Sequence, residues 1–354
     1  VIEPKNNVCI QIFEDNPTEG RKQLDHLGDA IMSDAWEVYI YQQSKGVKYI
    51  KLTMPEKVEV LEYGPIRATV QVSFKYSQEK RPKSTITLYI TLYSKIPLVY
   101  IKLKIDWHAS HRLIKMLFPI NLNSDYATYE IPYGFIMRRN PLSPEATLEE
   151  RSKWEVPGQK WIDYSSSDAN YGVSILNDCK YGFDQVNNVI RVTLLRSPSY
   201  PQNYPAEIDE LLKEKELTDQ GKHEVNLAIF PHKGDWREAL TVKRAYEFNY
   251  PLIIQIEKQH FGKLPKEYSF IKVKPNNVIL TSIKKAEDSD DIILRLYETD
   301  GKYADVTLTF DIKPIKVWET DLMENPLSEL PVYGKNVRIS VKPCEIKSIK
   351  VGYS

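Results

Sequence analysis

Alternating apolar and polar positions dominate this chain. Ile86, Leu88, Ile90 and Leu92 alternate with Thr85, Thr87, Tyr89, Thr91 and Tyr93. Ala68, Val70, Val72 and Phe74 alternate with Arg67, Thr69, Gln71 and Ser73, and Val99, Ile101, Leu103 and Ile105 with Tyr100, Lys102 and Lys104. Successive side chains on a strand point to opposite faces, so each run carries one face for a core and one for water. Thr and Tyr on the wetter face suit strands better than helices. The pattern predicts antiparallel strands, each buried on one side, packed as a sandwich.

Helical signals are few. Pro205 to Leu217 carries Ile208, Leu211 and Leu212 at helical spacing. Asp235-Trp-Arg-Glu238 fits a capping box and predicts a helix from Trp236 to about Phe248, burying Trp236, Leu240 and Ala245. The pattern breaks at Pro251, and 249–265, with Gly262 and Pro265, reads as a linker. Strand patterns resume at Val278 to Ile283, Ile292 to Tyr297, Val306 to Phe310 and Val337 to Val341. The expectation is an all-β chain, with a large antiparallel sandwich over 1–248, a linker over 249–265 and a small C-terminal sandwich over 266–354.

Charge removes some classes of partner. Lys plus Arg and Asp plus Glu both total 48 among the 354 residues, so the formal charge is zero and gives no reason to expect nucleic acid or an anionic membrane. No run approaches the roughly 20 apolar residues of a spanning helix, and no signal peptide is visible. The first residue is Val1 rather than Met, which leads us to expect that residues once preceded it. Cys9, Cys179 and Cys344 lie far apart, in no disulfide or zinc spacing. They read as three buried, reduced thiols of a cytoplasmic protein.

Nucleotide, phosphate and serine-hydrolase motifs are missing, and Ser165-Ser166-Ser167 has no nucleophile elbow. His108 and His111 follow a strand rather than sharing a helical face, and no carboxylate accompanies them at ligand spacing, so they read as structural or surface residues. A glycosidase needs two carboxyl groups roughly 5 to 9.5 Å apart, and spacing alone does not pair Asp163, Asp178, Asp184, Asp219 and Glu130 in that way. Between the strands of the middle third, aromatics, carboxylates, an arginine and amides recur. Such groups build sugar sites, and they equally build turns and cores; composition alone favours the second reading.

The same segments resemble the C-terminal region of glycoside hydrolase family 38, the retaining α-mannosidases. The resemblance rests on VPGQKWIDYS from Val156, YGVSILNDCKYGFD from Tyr171, VTLLRSP ending at Pro198, DQGKHE from Asp219 and FPHKGDW ending at Trp236. It extends to IFEDNP from Ile12, Asp34-Ala-Trp-Glu37, IDWHASHRLIKMLFPI from Ile105 and ATYEIPYGFIMR from Ala127. VILTSIKKAEDSDDIILRLYE from Val278 and KPCEIKSIKV ending at Val351 complete it. LLRSP is closer to the cytosolic and vacuolar branch.

The resemblance implies a galactose-mutarotase-like supersandwich followed by a small β-sandwich. It also implies a zinc ion and a nucleophilic aspartate in an N-terminal α/β catalytic domain, of which this chain shows no pattern. It therefore assigns no catalytic residue and no metal ligand here. The partners implied are that catalytic domain and mannosides, with a homo-oligomer also open. Arg196 and Asp219 are the first candidates to border the mannose pocket, and Asp178, Lys180, Tyr181 and His223 the second. Two other readings stay open: a stand-alone carbohydrate-binding module, and a mutarotase using His223 and Glu130 as its acid/base pair.

Overall fold

The computed structural model describes residues 8–14, 49–153, 155–166, 168, 170–198, 217–263 and 265–353. Asp15 to Pro17, Asp34 to Glu37, Trp154 and the helix expected over Pro205 to Leu217, its last residue excepted, lie outside these. The chain divides into two compact units, Val1–Tyr129 with Met137–Asp235, and Glu130–Ile136 with Trp236–Ser354.

Strands β1 (Cys9–Glu14), β2 (Tyr49–Leu52), β3 (Lys57–Tyr63), β4 (Arg67–Tyr76), β5 (Ser84–Tyr93), β6 (Ile96–Trp107), β7 (Arg112–Pro119), β8 (Tyr126–Ile131) and β9 (Gly134–Arg139) precede a short helix, α1 (Leu148–Ser152). Then come β10 (Val156–Pro157), β11 (Trp161–Ser166), β12 (Tyr171–Asn177), β13 (Gly182–Val186), β14 (Val189–Arg196) and β15 (Gly221–Lys233). These strands form a six-stranded sheet, β10-β13-β14-β7-β1-β2, and a nine-stranded sheet, β3-β4-β5-β6-β15-β12-β11-β8-β9. The three alternating runs read from the sequence are β4, β5 and β6, paired antiparallel with Leu88 opposite both Val72 and Leu103. Their apolar faces (Ile86, Leu88, Ile101, Leu103, Ile105) join Ile12, Ile114, Met116, Phe118, Ile190 and Val192 of the six-stranded sheet in one core.

The helix after β15 is α2 (Thr241–Asn249), which starts five residues later than the capping box predicts. Leu240 takes a left-handed conformation (φ 57°), which an L-residue helix does not propagate through. Residues 236–240 instead make turns closed by Leu240 N–H to the Arg237 carbonyl (3.0 Å) and Thr241 N–H to the Trp236 carbonyl (2.9 Å). Trp236 and Ala245 are buried as expected, but Leu240 is only half-buried.

The second unit carries β16 (Ile271–Lys274), β17 (Val278–Lys285), β18 (Ile292–Glu298), β19 (Ala304–Phe310), β20 (Lys316–Thr320), β21 (Pro326–Glu329), β22 (Val332–Tyr333), β23 (Asn336–Val341) and β24 (Ile346–Gly352). They pair as β16-β19-β23-β22 and β17-β18-β24-β20-β21. Leu294, Leu296, Val306, Leu308, Phe310, Val337 and Ile349 fill the core.

The cysteines correct one expectation. All three are free, but Cys179 and Cys344 are exposed and Cys9 half-buried. Cys344 sits in a turn with positive φ (54°), and Cys179 in the connection after β12, so neither has a strand's inward face available. Partial desolvation, then the neighbouring Asp178, pushes the Cys179 thiol up to about 12, which keeps it protonated and unreactive at neutral pH.

Candidate functional site

Three motifs far apart in sequence meet at one end of the large sandwich. In IDWHASHR, β6 ends at the fully buried Trp107, whose ring stacks on Tyr76 (5.4 Å between centroids). Trp107 Nε1–H donates to Ser197 Oγ (3.1 Å), the serine of LLRSP. Ser197 is also tied to the turn by His111 N–H to its carbonyl (2.7 Å) and by its own N–H to the Arg112 carbonyl (2.9 Å). The third motif, DQGKHE, joins through Thr218 N–H to the Pro198 carbonyl (3.0 Å) and Gln220 Nε2–H to the Ala109 carbonyl (3.0 Å).

Arg196 reaches this end by a register shift. Alternation from Val192 and Leu194 would turn Arg196 into the core. A bulge between Thr193 and Leu195 puts Leu194 and Leu195 both in the core. Arg196 then pairs opposite Leu113, on the outer face that also carries Lys115 and Thr193. Ser197-Pro198 ends the strand.

Asp219, in a left-handed conformation (φ 52°), accepts the Arg196 backbone N–H at Oδ2 (3.1 Å). His223 Nε2 lies 3.0 Å from the Asp219 carbonyl, which can only accept, so Nε2 carries the proton. His108 Nε2 contacts Asp106 Oδ1 at 3.0 Å. Arg196, Asp219 and His223 are thus gathered around one strand end.

Asp178, Lys180 and Tyr181 are not part of that group. The Asp178 carboxylate accepts from Asn226 N–H (3.1 Å) and Asn226 Nδ2–H (2.6 Å). Asn226 lies three residues beyond His223 on β15, about 10 Å along the strand. Lys180 N–H is held by Asn177 Oδ1 (2.7 Å), and the Tyr181 carbonyl by Gly158 N–H (3.1 Å), leaving the Tyr181 ring exposed. The mutarotase pair does not form either. Glu130 is on β8 and His223 on β15, with β12 and β11 between them in the strand order.

Two buried polar networks were not legible as such in the sequence. Asp163 on β11 faces Ser174 on β12, His232 on β15 lies diagonally across, opposite Gly172, and all three side chains are shielded from water. Ser174 Oγ donates to Asp163 Oδ2 (2.7 Å), and His232 Nε2 approaches both that oxygen (2.8 Å) and Ser174 Oγ (3.1 Å). Gly172 leaves room for the imidazole, since a Cβ there would lie 2.6 Å from His232 Cε1. A catalytic relay uses opposite ring nitrogens for the acid and the hydroxyl. Here one nitrogen serves both, so the network does not have the geometry to activate the serine.

The second network centres on Lys115, whose side chain is fully buried. Its Nζ donates to Asp184 Oδ2 (2.6 Å) and to Glu155. Arg191 pairs with Asp184, and Thr193 Oγ1–H donates to Glu155 Oε1 (2.5 Å). Among the described residues two cations meet two carboxylates, which meets the requirement for burying charge. Gly182, opposite Glu155 Oε1 at 2.5 Å from a built Cβ, makes room for it.

No group of three or more His, Cys, Asp or Glu among the described residues is arranged to hold a metal ion. No helix among the described residues is long and apolar enough to cross a membrane.

Residues 1–204 match the family description "Glycosyl hydrolases family 38 C-terminal domain". The chain belongs to glycoside hydrolase family 38. Residues 277–349 match a second description, "Glycosyl hydrolases family 38 C-terminal beta sandwich domain". The α-mannosidase of Saccharomyces cerevisiae is 33% identical over 307 residues, covering 80% of this chain and 26% of the yeast protein. Alpha-mannosidase G of Dictyostelium discoideum is 28% identical over 349 residues, covering 96% of this chain and 30% of the relative. The chain thus spans under a third of either relative's length. A solved α-mannosidase from Enterococcus faecalis V583 superposes with a TM-score of 0.73 at 15% identity, over 97% of this chain and 38% of that one, which establishes the shared fold. The all-β family 38 fold, a large antiparallel sandwich followed by a small one, is therefore as the sequence implied.

Proposed function

We propose that this chain is the C-terminal β portion of a retaining α-mannosidase that hydrolyses terminal α-D-mannosyl residues. On this reading it supplies no nucleophile, general acid or metal ligand. It braces a zinc-dependent N-terminal catalytic domain, and the sandwich end around Arg196 borders the mannose pocket. The observation that carries the reading is the meeting of LLRSP, DQGKHE and IDWHASHR at one strand end, with a bulge that turns Arg196 out of the core. Exposed apolar side chains on and beside the edge strand β3 support it too. Val58, Val60, Tyr63 and Ile66 are each at least 60% exposed, as expected of a surface that a larger enzyme covers. Placement in the cytoplasm goes with this proposal through the LLRSP variant alone.

In this role the guanidinium of Arg196 offers several donors in a rigid fork, able to hold a carboxylate and sugar hydroxyls together. Asp219 fixes the strand end through the backbone, so the side chain is presented from an anchored position. In the full-length enzyme Arg196→Ala should lower kcat/KM by roughly 10- to 100-fold, and Arg196→Lys should recover little of it. Steady-state kinetics on an aryl α-mannoside measure this. Unchanged kinetics with a lowered thermal midpoint would assign Arg196 to the scaffold.

A further inference from the structure

The segment that joins α2 to β16 is built like a strand and pairs with no strand among the described residues. It reads Pro251-Leu-Ile-Ile-Gln-Ile-Glu257. Leu252, Ile254 and Ile256 fall on one side of an extended chain, and Ile253, Gln255 and Glu257 on the other. The β-branched isoleucines favour the extended state. Yet Leu252, Ile253, Ile254 and Ile256 are between 83% and 100% exposed, and Phe261 further on is bare as well. No hydrogen bond joins the backbone of 251–263 to a described residue outside it. Apolar side chains on both faces and a row of backbone groups with no partner among the described residues are together the chemistry of a strand awaiting an edge.

We propose that residues 252–257 are a strand completed by the edge of a sheet in the part of the mannosidase that lies outside this chain. The inference rests on the reading above, that the chain belongs to a longer enzyme. Two features favour that occupant. The Dictyostelium relative is matched over only 30% of its length, so most of such an enzyme is available as the partner body. Both faces of the segment also need cover. A two-stranded pairing with the same segment of a second copy would leave faces bare and be marginal in water, whereas a folded sheet edge with its flanking core covers both.

Hydrogen exchange on the full-length enzyme and on this chain alone tests the proposal. In the full-length enzyme the amides of 252–257 should exchange on the order of 100-fold more slowly than in this chain alone, where they should be unprotected. Ile253→Lys, Ile254→Lys and Ile256→Lys should each shorten the full-length enzyme's half-life on heating, while Lys258→Ala, just outside the strand, should not. An active full-length enzyme in which 252–257 exchanges as fast as in the isolated chain would overturn the inference and leave the functional reading standing. Protection in the isolated chain that grows with its concentration would overturn it in favour of a second copy. A full-length protein without mannosidase activity would overturn the functional reading, whatever the exchange shows.

Discussion

Lys115→Ala should destabilise the larger unit by about 3–5 kcal/mol, the usual loss when one member of a buried ion pair is removed. The ammonium lies between Asp184 and Glu155 with no exposed side-chain surface. Without it, Arg191 still faces Asp184, but Glu155 keeps only the Thr193 hydroxyl among the contacts described here. Exchange rates of the β7 and β14 amides, whose strands carry Lys115 and Arg191, report the loss directly. Removing Glu155 together with Lys115 should cost less than removing Lys115 alone, because the remaining Asp184–Arg191 pair is balanced. A loss in the double variant equal to the sum of the two single losses would mean that the two side chains contribute independently.

Glu298→Ala should destabilise the smaller unit by a similar amount, about 3–5 kcal/mol, because it strips a buried acceptor from five donors at once. The side chain ends β18 and is fully buried. Its Oε1 accepts from Asn277 Nδ2–H (2.8 Å) and Asp300 N–H (2.7 Å). Its Oε2 accepts from Gly301 N–H (2.8 Å), Lys302 N–H (3.1 Å) and Cys344 N–H (3.0 Å). One carboxylate thus folds the β18–β19 turn and pins the turn before β24. Glu298→Gln should fall between wild type and alanine, since the amide oxygen still accepts while its nitrogen cannot. Faster exchange of the β18, β19 and β23 amides, with β7 unchanged, would place the effect in this unit.

Much of the architecture was legible because antiparallel strands with one wet face announce themselves by period-two alternation. β4, β5, β6, β17, β18, β19 and β23 each contain the run that predicted them. β7 was harder to read, because it is buried on both faces: Leu113, Lys115 and Leu117 face away from the core formed by Ile114, Met116 and Phe118, yet are buried too. A lysine in such a run reads as a wet position, and only its buried carboxylates explain it. The helix ends failed for local reasons. Asp235 to Glu238 has the letters of a capping box, but the left-handed Leu240 delays the helix. The box that does form is Thr147 with Glu150, where Thr147 Oγ1 accepts Glu150 N–H (3.2 Å) and Glu150 Oε2 accepts Thr147 N–H (2.8 Å), in a stretch too short to show helical periodicity.

Of the candidate site, sequence supplied the residue types and the motifs but not the grouping. Arg196, Asp219 and His223 come together because Asp219 binds a backbone N–H, a contact no side-chain pattern encodes. Asp178, ranked behind Asp219, has its carboxylate engaged by Asn226 further along β15. The bulge at Leu194 shows in the sequence only as two adjacent leucines that break the alternation of Ile190, Val192 and Leu194, and it decides which way Arg196 points.

The proposed division of labour, a β portion that shapes and braces an active site but does no chemistry of its own, is tested most directly by turnover of an aryl α-mannoside. The purified, homogeneous chain should show none, with or without added zinc, while the full-length enzyme hydrolyses the same substrate. Zinc-dependent turnover by the chain alone would contradict the account and place a complete catalytic site within these 354 residues.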